Sequence, residues 1–173
     1  MVRETTLAYL AGMIDGDGFI TITRSIRNGK EYFGPQVGIS GTRREPHDLA
    51  ASLWGGAVSA HTPKNPNHRV QYQWQRMGKD AVPILNAILP YLLVKKDHAY
   101  LALDLAIHLS AMKSDDPFPW FCADYDPVDA MRRMRDEMID MNQSRNRVGK
   151  KAAGRLLDVV QHDGYPISQR AAE

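Results

Sequence analysis

Two aspartates, Asp15 and Asp17, are set among glycines in the stretch YLAGMIDGDGFI over residues 9–20. Carboxylates beside open backbone carbonyls offer hard oxygen atoms, the donors that Mg²⁺ prefers. Gly16 and Gly18 flank Asp17, so the chain can turn there and leave the Gly16 carbonyl accessible. Ala8, Gly12 and Gly16 recur every four residues, a stripe of small side chains along one helix face. Such a stripe lets a second helix backbone approach closely. An EF-hand is excluded, because Phe19 and Ile20 stand where the loop needs an oxygen ligand and a glycine. The plain alternative for an isolated DGDG is turn chemistry at a helix end, with no ligand at all.

The elements around these residues can be read from periodicity. Leu7, Leu10, Met13 and Ile14 have helical spacing, and Thr5 or Thr6 is placed to cap that helix. From Phe19 the pattern alternates, with Ile20, Ile22 and Ile26 on one side and Thr21, Thr23 and Ser25 on the other, as in a half-buried strand. Asn28-Gly29 predicts a hairpin turn. A second strand runs from about Tyr32 to Thr42, with Val37 and Ile39 inward and Gln36, Gly38 and Ser40 outward. A short helix follows over Glu45 to Trp54, closed by two glycines. Val58 and Ala60 alternate with Ser59 and His61. After the turn PKNPNH, Val70, Tyr72 and Trp74 alternate with Gln71, Gln73 and Gln75. Helical spacing then covers 80–112, with a break near Pro90, and a last helical region covers about 126–160.

This order predicts an α+β domain over residues 1–160, a four-stranded antiparallel sheet with helices packed on one face, and a polar tail over 161–173. The other sheet face collects Thr, Ser, Gln and Arg and lacks carboxylates. Those side chains hydrogen-bond base edges and phosphates, whereas a merely solvated face usually mixes Lys with Glu.

Composition narrows the possibilities further. The chain has 173 residues, 43% hydrophobic and 24% charged, which is one globular domain and excludes wholesale disorder. A single cysteine, Cys122, excludes an internal disulfide and a Cys-rich zinc module; it is expected in the core. The six histidines show no paired metal spacing, so zinc catalysis is not expected, and His98 and His108 are expected in a packed helix. No apolar run approaches the length of a membrane span, and Asp15 interrupts any leader core, so a soluble intracellular protein with no membrane partner is expected. Net charge is only +2, but residues 18–79 hold nine basic and three acidic side chains. Positive charge therefore collects in the sheet region. Met131, Met134, Met138 and Met141 have the spacing of a buried helix face, and Lys150 and Lys151 face DNA backbone or solvent.

LAGMIDGDG, residues 10–18, resembles the signature of the LAGLIDADG homing endonucleases in seven of nine letters, departing only at Met13 and Gly16. The predicted element order is also similar to that family's core. PYLLVKKDHA at 90–99 is similar to a segment of the single-motif, homodimeric branch, and the resemblance spans roughly residues 5–110. One motif in a chain of this size implies a homodimer, with the Ala8, Gly12 and Gly16 faces of two copies packed together about a two-fold axis.

The resemblance implies a saddle-like sheet and a site-specific endonuclease that makes a staggered double-strand cut by Mg²⁺- or Mn²⁺-dependent phosphodiester hydrolysis. It places metal at Asp17, helped by the Gly16 carbonyl. It assigns Lys95, by its spacing from Pro90, to transition-state charge or the water network. Where the family often has a glutamine, this chain has Arg43, or Thr42, and Arg43 could contact the scissile phosphate. Double-stranded DNA would lie along Thr21, Thr23, Ser25, Arg27, Gln36, Ser40, Thr42, Ser59, His61, Arg69, Gln71, Gln73 and Gln75. A strand of about eight residues spans roughly 26 Å, so two sheets end to end cover about 50 Å, on the order of 15 base pairs. The hairpin tips at Asn28-Gly29-Lys30 and Lys64-Asn65 extend that to a long pseudo-palindromic site. The alternative on the same scaffold is a cleavage-inactive DNA-binding regulator or intron maturase. Relatives of that kind commonly lose the motif carboxylate, and here Asp17 is present.

Overall fold

The structure, a computed structural model, describes residues 2–63, 69–113 and 125–148. The chain divides into two compact units, Met1–Ile139 and Asp140–Glu173, the second described only as far as Val148. The elements are α1 (Glu4–Gly16), β1 (Gly18–Arg27), β2 (Lys30–Gly41), α2 (Glu45–Trp54), β3 (Val58–His61), β4 (Gln71–Met77), α3 (Ala81–Ile88), α4 (Lys96–Ala111) and α5 (Pro127–Val148). Single 3₁₀ turns at Gly78–Asp80 and Leu89–Tyr91 precede and follow α3. The predicted α+β order is what forms.

Helix α1 starts one residue before Thr5, and neither Thr5 nor Thr6 caps it. Arg3 is the N-cap and makes no side-chain bond. Its carbonyl accepts the N–H groups of Thr6 at 3.0 Å and Leu7 at 3.2 Å. Glu4 adds negative charge in the first turn, where the helix dipole favours it. At the far end the Asp17 N–H donates to the Met13 carbonyl at 2.9 Å, and the chain enters β1 at once. Gly18 makes that entry possible: a Cβ there would lie 2.5 Å from the Gly38 carbonyl oxygen and 2.6 Å from the Ile14 Cα.

The four strands pair antiparallel in the order β1-β2-β4-β3. Asn28 (φ 50°) and Gly29 (φ 73°) both adopt positive φ, the two-residue hairpin turn that Asn-Gly favours. Side chains alternate between faces, so one face carries Ile20, Ile22, Phe33, Val37, Ile39 and Trp74, all buried. Leu10, Ala11 and Ile14 of α1, Ile84, Leu85 and Ile88 of α3, and Ala99, Ala102 and Leu105 of α4 are buried with them. Each fully buried leucine or isoleucine contributes about 1.5–3 kcal/mol. Trp74 is fully buried, and its indole N–H donates to the Gly55 carbonyl at 2.9 Å.

Two local expectations are corrected. Ile26 falls on the helix-covered face by parity, yet it is 60% exposed, because the β1–β2 hairpin runs on past the helical cover. Val70 and Arg69 lie before β4, which begins at Gln71. The tip Lys64-Asn65, Cys122, Lys150 and Lys151, the helix beyond Val148 and the tail over 161–173 lie outside the described residues. His98 is buried in α4, while His108 is half-buried with its ring 3.0 Å from the Tyr125 hydroxyl. Met131 and Met138 are buried on α5; Met134 and Met141 are half-buried. Among the described residues no helix is long and apolar enough to cross a membrane.

Candidate functional site

The two motif aspartates have different surroundings. Asp15 is half-buried, and its carboxylate accepts three backbone N–H groups: Leu93 at 2.7 Å, Val94 at 3.1 Å and Lys95 at 2.8 Å. These are the residues that lead into α4, so the negative charge also sits where the α4 dipole favours it. Lys95 completes the tie from the other side. It is buried, and its ammonium donates to the Ile14 and Asp15 carbonyls, each at 2.6 Å. Those carbonyls belong to the last turn of α1, where a helix leaves its acceptors unsatisfied.

Asp17 is exposed, and no described residue makes a hydrogen bond or ion pair with its carboxylate. It stands at the C-terminal end of α1, whose dipole attracts cations. Gly16 is exposed beside it. Among the described residues, no three His, Cys, Asp or Glu side chains gather where they could hold a metal. At the end of α1 the described residues thus offer the Asp17 carboxylate and the neighbouring Gly16 carbonyl. That donor set suits Mg²⁺, which keeps several waters and takes one or two carboxylates plus substrate phosphates.

Strand register places the other candidates. Gly18 pairs with Ile39, so the end of β2, and Thr42 and Arg43 just beyond it, lie at the same end of the sheet as Asp17. Lys95 is held at that end by Asp15. Thr42 and Arg43 are exposed. Their neighbour Arg44 is engaged: its guanidinium lies 5.9 Å from the Tyr72 ring centroid and pairs with Asp48 at 3.1 Å.

The polar sheet face assembles as parity predicts. Thr21 pairs with Gln36, Gln36 with Met77, Ser40 with Gln73, Ser59 with Gln73 and His61 with Gln71. Thr23, Ser25, Arg27 and Gln75 fall on the same face by alternation. Arg69 is exposed just ahead of β4. Glu31, the one carboxylate among the described strand residues, sits on the opposite face and bonds Arg24 and Arg132. The two guanidinium hydrogen bonds hold its carboxyl down to about 2.

Sequence reasoning missed Phe19, Tyr32 and Met77, which share the polar face through their pairings with Gly38, Ser25 and Gln36. Parity carried to both ends of each strand would have found them. Phe19 is the most distinctive. Its ring occupies the space above Gly38, where an added Cβ would lie 2.6 Å from the ring.

The sheet order, the helix that ends in an exposed aspartate and the carboxylate-free face that follows it define a class. Solved structures with this fold include the homing endonuclease I-CvuI in complex with a DNA target (TM-score 0.61, 18% identity, 80% of this chain and 82% of that one). The LAGLIDADG endonuclease I-GzeII in complex with its target is also similar (TM-score 0.53, 15% identity, 78% of this chain and 43% of that one). So is the archaeal intron-encoded I-Vdi141I complexed with DNA (TM-score 0.50, 15% identity, 79% of this chain and 98% of that one). No family model and no curated protein matches the sequence. The fold is that of the LAGLIDADG homing endonucleases, and residues 10–18, from the end of α1 to the start of β1, are the stretch that resembles their signature.

Proposed function

We propose that this protein is a site-specific DNA endonuclease of the homing type, acting as a homodimer on a long pseudo-palindromic duplex. The observation that carries the reading is the division of labour at the end of α1. Asp15 is consumed by backbone N–H groups, while Asp17, two residues on, is left exposed where the carboxylate-free face begins. The structures of I-CvuI and I-Vdi141I in complex with DNA support a DNA duplex as the ligand, and the carboxylate-free face is where this chain would receive it. The dimer reading rests on the small-residue stripe: Ala8, Gly12 and Gly16 are all exposed, and a Cβ added at Gly12 or Gly16 would meet nothing within 4 Å. Two such faces packed about a two-fold axis fill each other's groove and bring both Asp17 carboxylates together.

Asp17 and the Gly16 carbonyl of each copy would hold Mg²⁺ or Mn²⁺. Bound there, the cation supplies charge relief at the phosphate and lowers the pKa of water. The chain's own residues do the rest. Lys95, anchored on the Ile14 and Asp15 carbonyls, fixes the helix end that presents Asp17 and sets positive charge behind the site. Arg43, exposed past the end of β2, would bind the scissile phosphate. The paired carboxylates at the dimer centre would give staggered cuts across the minor groove.

The test uses the joined sequence that flanks the gene as substrate. Wild-type protein with Mg²⁺ is expected to cut both strands, and Asp17→Asn to bind the same duplex without cutting. Selective binding without cleavage by the wild type would overturn the enzyme reading in favour of a regulator or maturase.

A further inference from the structure

The polar sheet face holds a small amide network whose hydrogen bonds restrict what it can recognise. The Gln75 Oε1 accepts from the Gln36 Nε2 at 2.7 Å and from the Gln73 Nε2 at 3.4 Å. An amide oxygen has two lone pairs, and both are occupied here. The NH₂ group is what Gln75 has left to offer, and it is a donor only. It is exposed, and its cross-strand partner on β2 is Gly38, which has no side chain to cover it. The Phe19 ring fills the space above Gly38, so the amide cannot lie down into that gap.

A free glutamine reads adenine, accepting from N6 while donating to N7. Gln75 has no free acceptor with which to do so. Guanine offers two adjacent acceptors, N7 and O6, whereas thymine offers one, O4, beside a methyl group, and cytosine would call for a carboxylate, which this face lacks. We infer that Gln75 is a specificity-determining residue that selects guanine over adenine in the major groove, with Gln36 and Gln73 as positioning residues that hold its amide in the donor orientation. This inference rests on the DNA-binding reading above.

The experiment selects duplexes from a randomised pool with full-length wild-type protein in Ca²⁺, then with Gln75→Ala and with the double variant Gln36→Leu/Gln73→Leu. The wild type is expected to prefer guanine at one position of each half-site, and Gln75→Ala to flatten that position alone. Freeing the Gln75 oxygen in the double variant is expected to shift that position toward adenine by roughly tenfold. A wild-type preference for adenine, cytosine or thymine there, no position altered by Gln75→Ala, or an unchanged preference in the double variant would each overturn the inference. If the wild type selects no sequence at all, the DNA-binding reading falls and takes this one with it. Selective binding indifferent to Gln75 overturns this one alone.

Discussion

Asp15 and Lys95 hold each other twice. The Asp15 carboxylate accepts the Lys95 backbone N–H at 2.8 Å, and the Lys95 ammonium donates to the Asp15 backbone carbonyl at 2.6 Å. The C-terminal end of α1 and the entry to α4 are thereby locked at two points, 80 residues apart in the chain. Asp17 leaves the helix two residues beyond this lock, so the Asp15–Lys95 tie sets its position.

The two aspartates should separate cleanly by stability. Asp15→Ala removes an ionised acceptor from three N–H groups and is expected to cost about 1.5–3 kcal/mol. Asp17→Ala, at an exposed site, should fall within about 0.5 kcal/mol of wild type. Urea unfolding followed by circular dichroism measures both. Equal losses would contradict the division of roles.

Lys95→Met keeps the apolar stem but strips the donors from two helix-end carbonyls. The expected destabilisation is about 1–3 kcal/mol, since an unsatisfied buried acceptor carries its full desolvation penalty. A variant as stable as wild type would show that water replaces the ammonium freely.

The glycines of the motif should respond in opposite ways. Gly18→Ala places a Cβ 2.5 Å from a backbone oxygen, so it should destabilise by at least about 1–3 kcal/mol. Gly12→Leu meets open space within one chain and should leave the subunit folded while abolishing dimers in sedimentation. Dimers that persist in Gly12→Leu would remove the small-residue stripe from the interface.

Glu31 gives the pH dependence. Its carboxyl is lowered from 4.5 to about 2 in the folded protein by hydrogen bonds from Arg24 and Arg132. A group with a depressed folded pKa binds its proton more readily when unfolded, so its stabilisation is fully present above about 4.5 and is lost as pH falls toward 2. Wild type should therefore lose stability over that window more steeply than Glu31→Gln, as thermal unfolding at a series of pH values will show. Parallel slopes would mean that the Arg24–Glu31–Arg132 cluster does not form.

Much of this protein is written locally. The helix ending at Gly16, the Asn28-Gly29 turn, the alternation of Thr21, Thr23 and Ser25 against Ile20 and Ile22, and the glutamines of β4 all follow from periodicities of two or 3.6 residues and from turn chemistry. Their physical causes act between neighbours in the chain, so the sequence states them directly. The same logic failed at Ile26, whose alternation is correct but whose burial depends on where other helices end.

The tertiary structure decided everything that joins distant residues. Spacing could not tell Asp15 from Asp17, because what separates them is a loop some 80 residues away. Spacing from Pro90 singles out Lys95 but not its burial on the end of α1. Pairing β2 with β4 brings Gln36 to Gln75 across 39 residues, and Glu31 reaches Arg132 across 101. Local pattern fixes which way a side chain faces. What it meets there depends on which elements pack together, and that is settled only by burying the whole core at once.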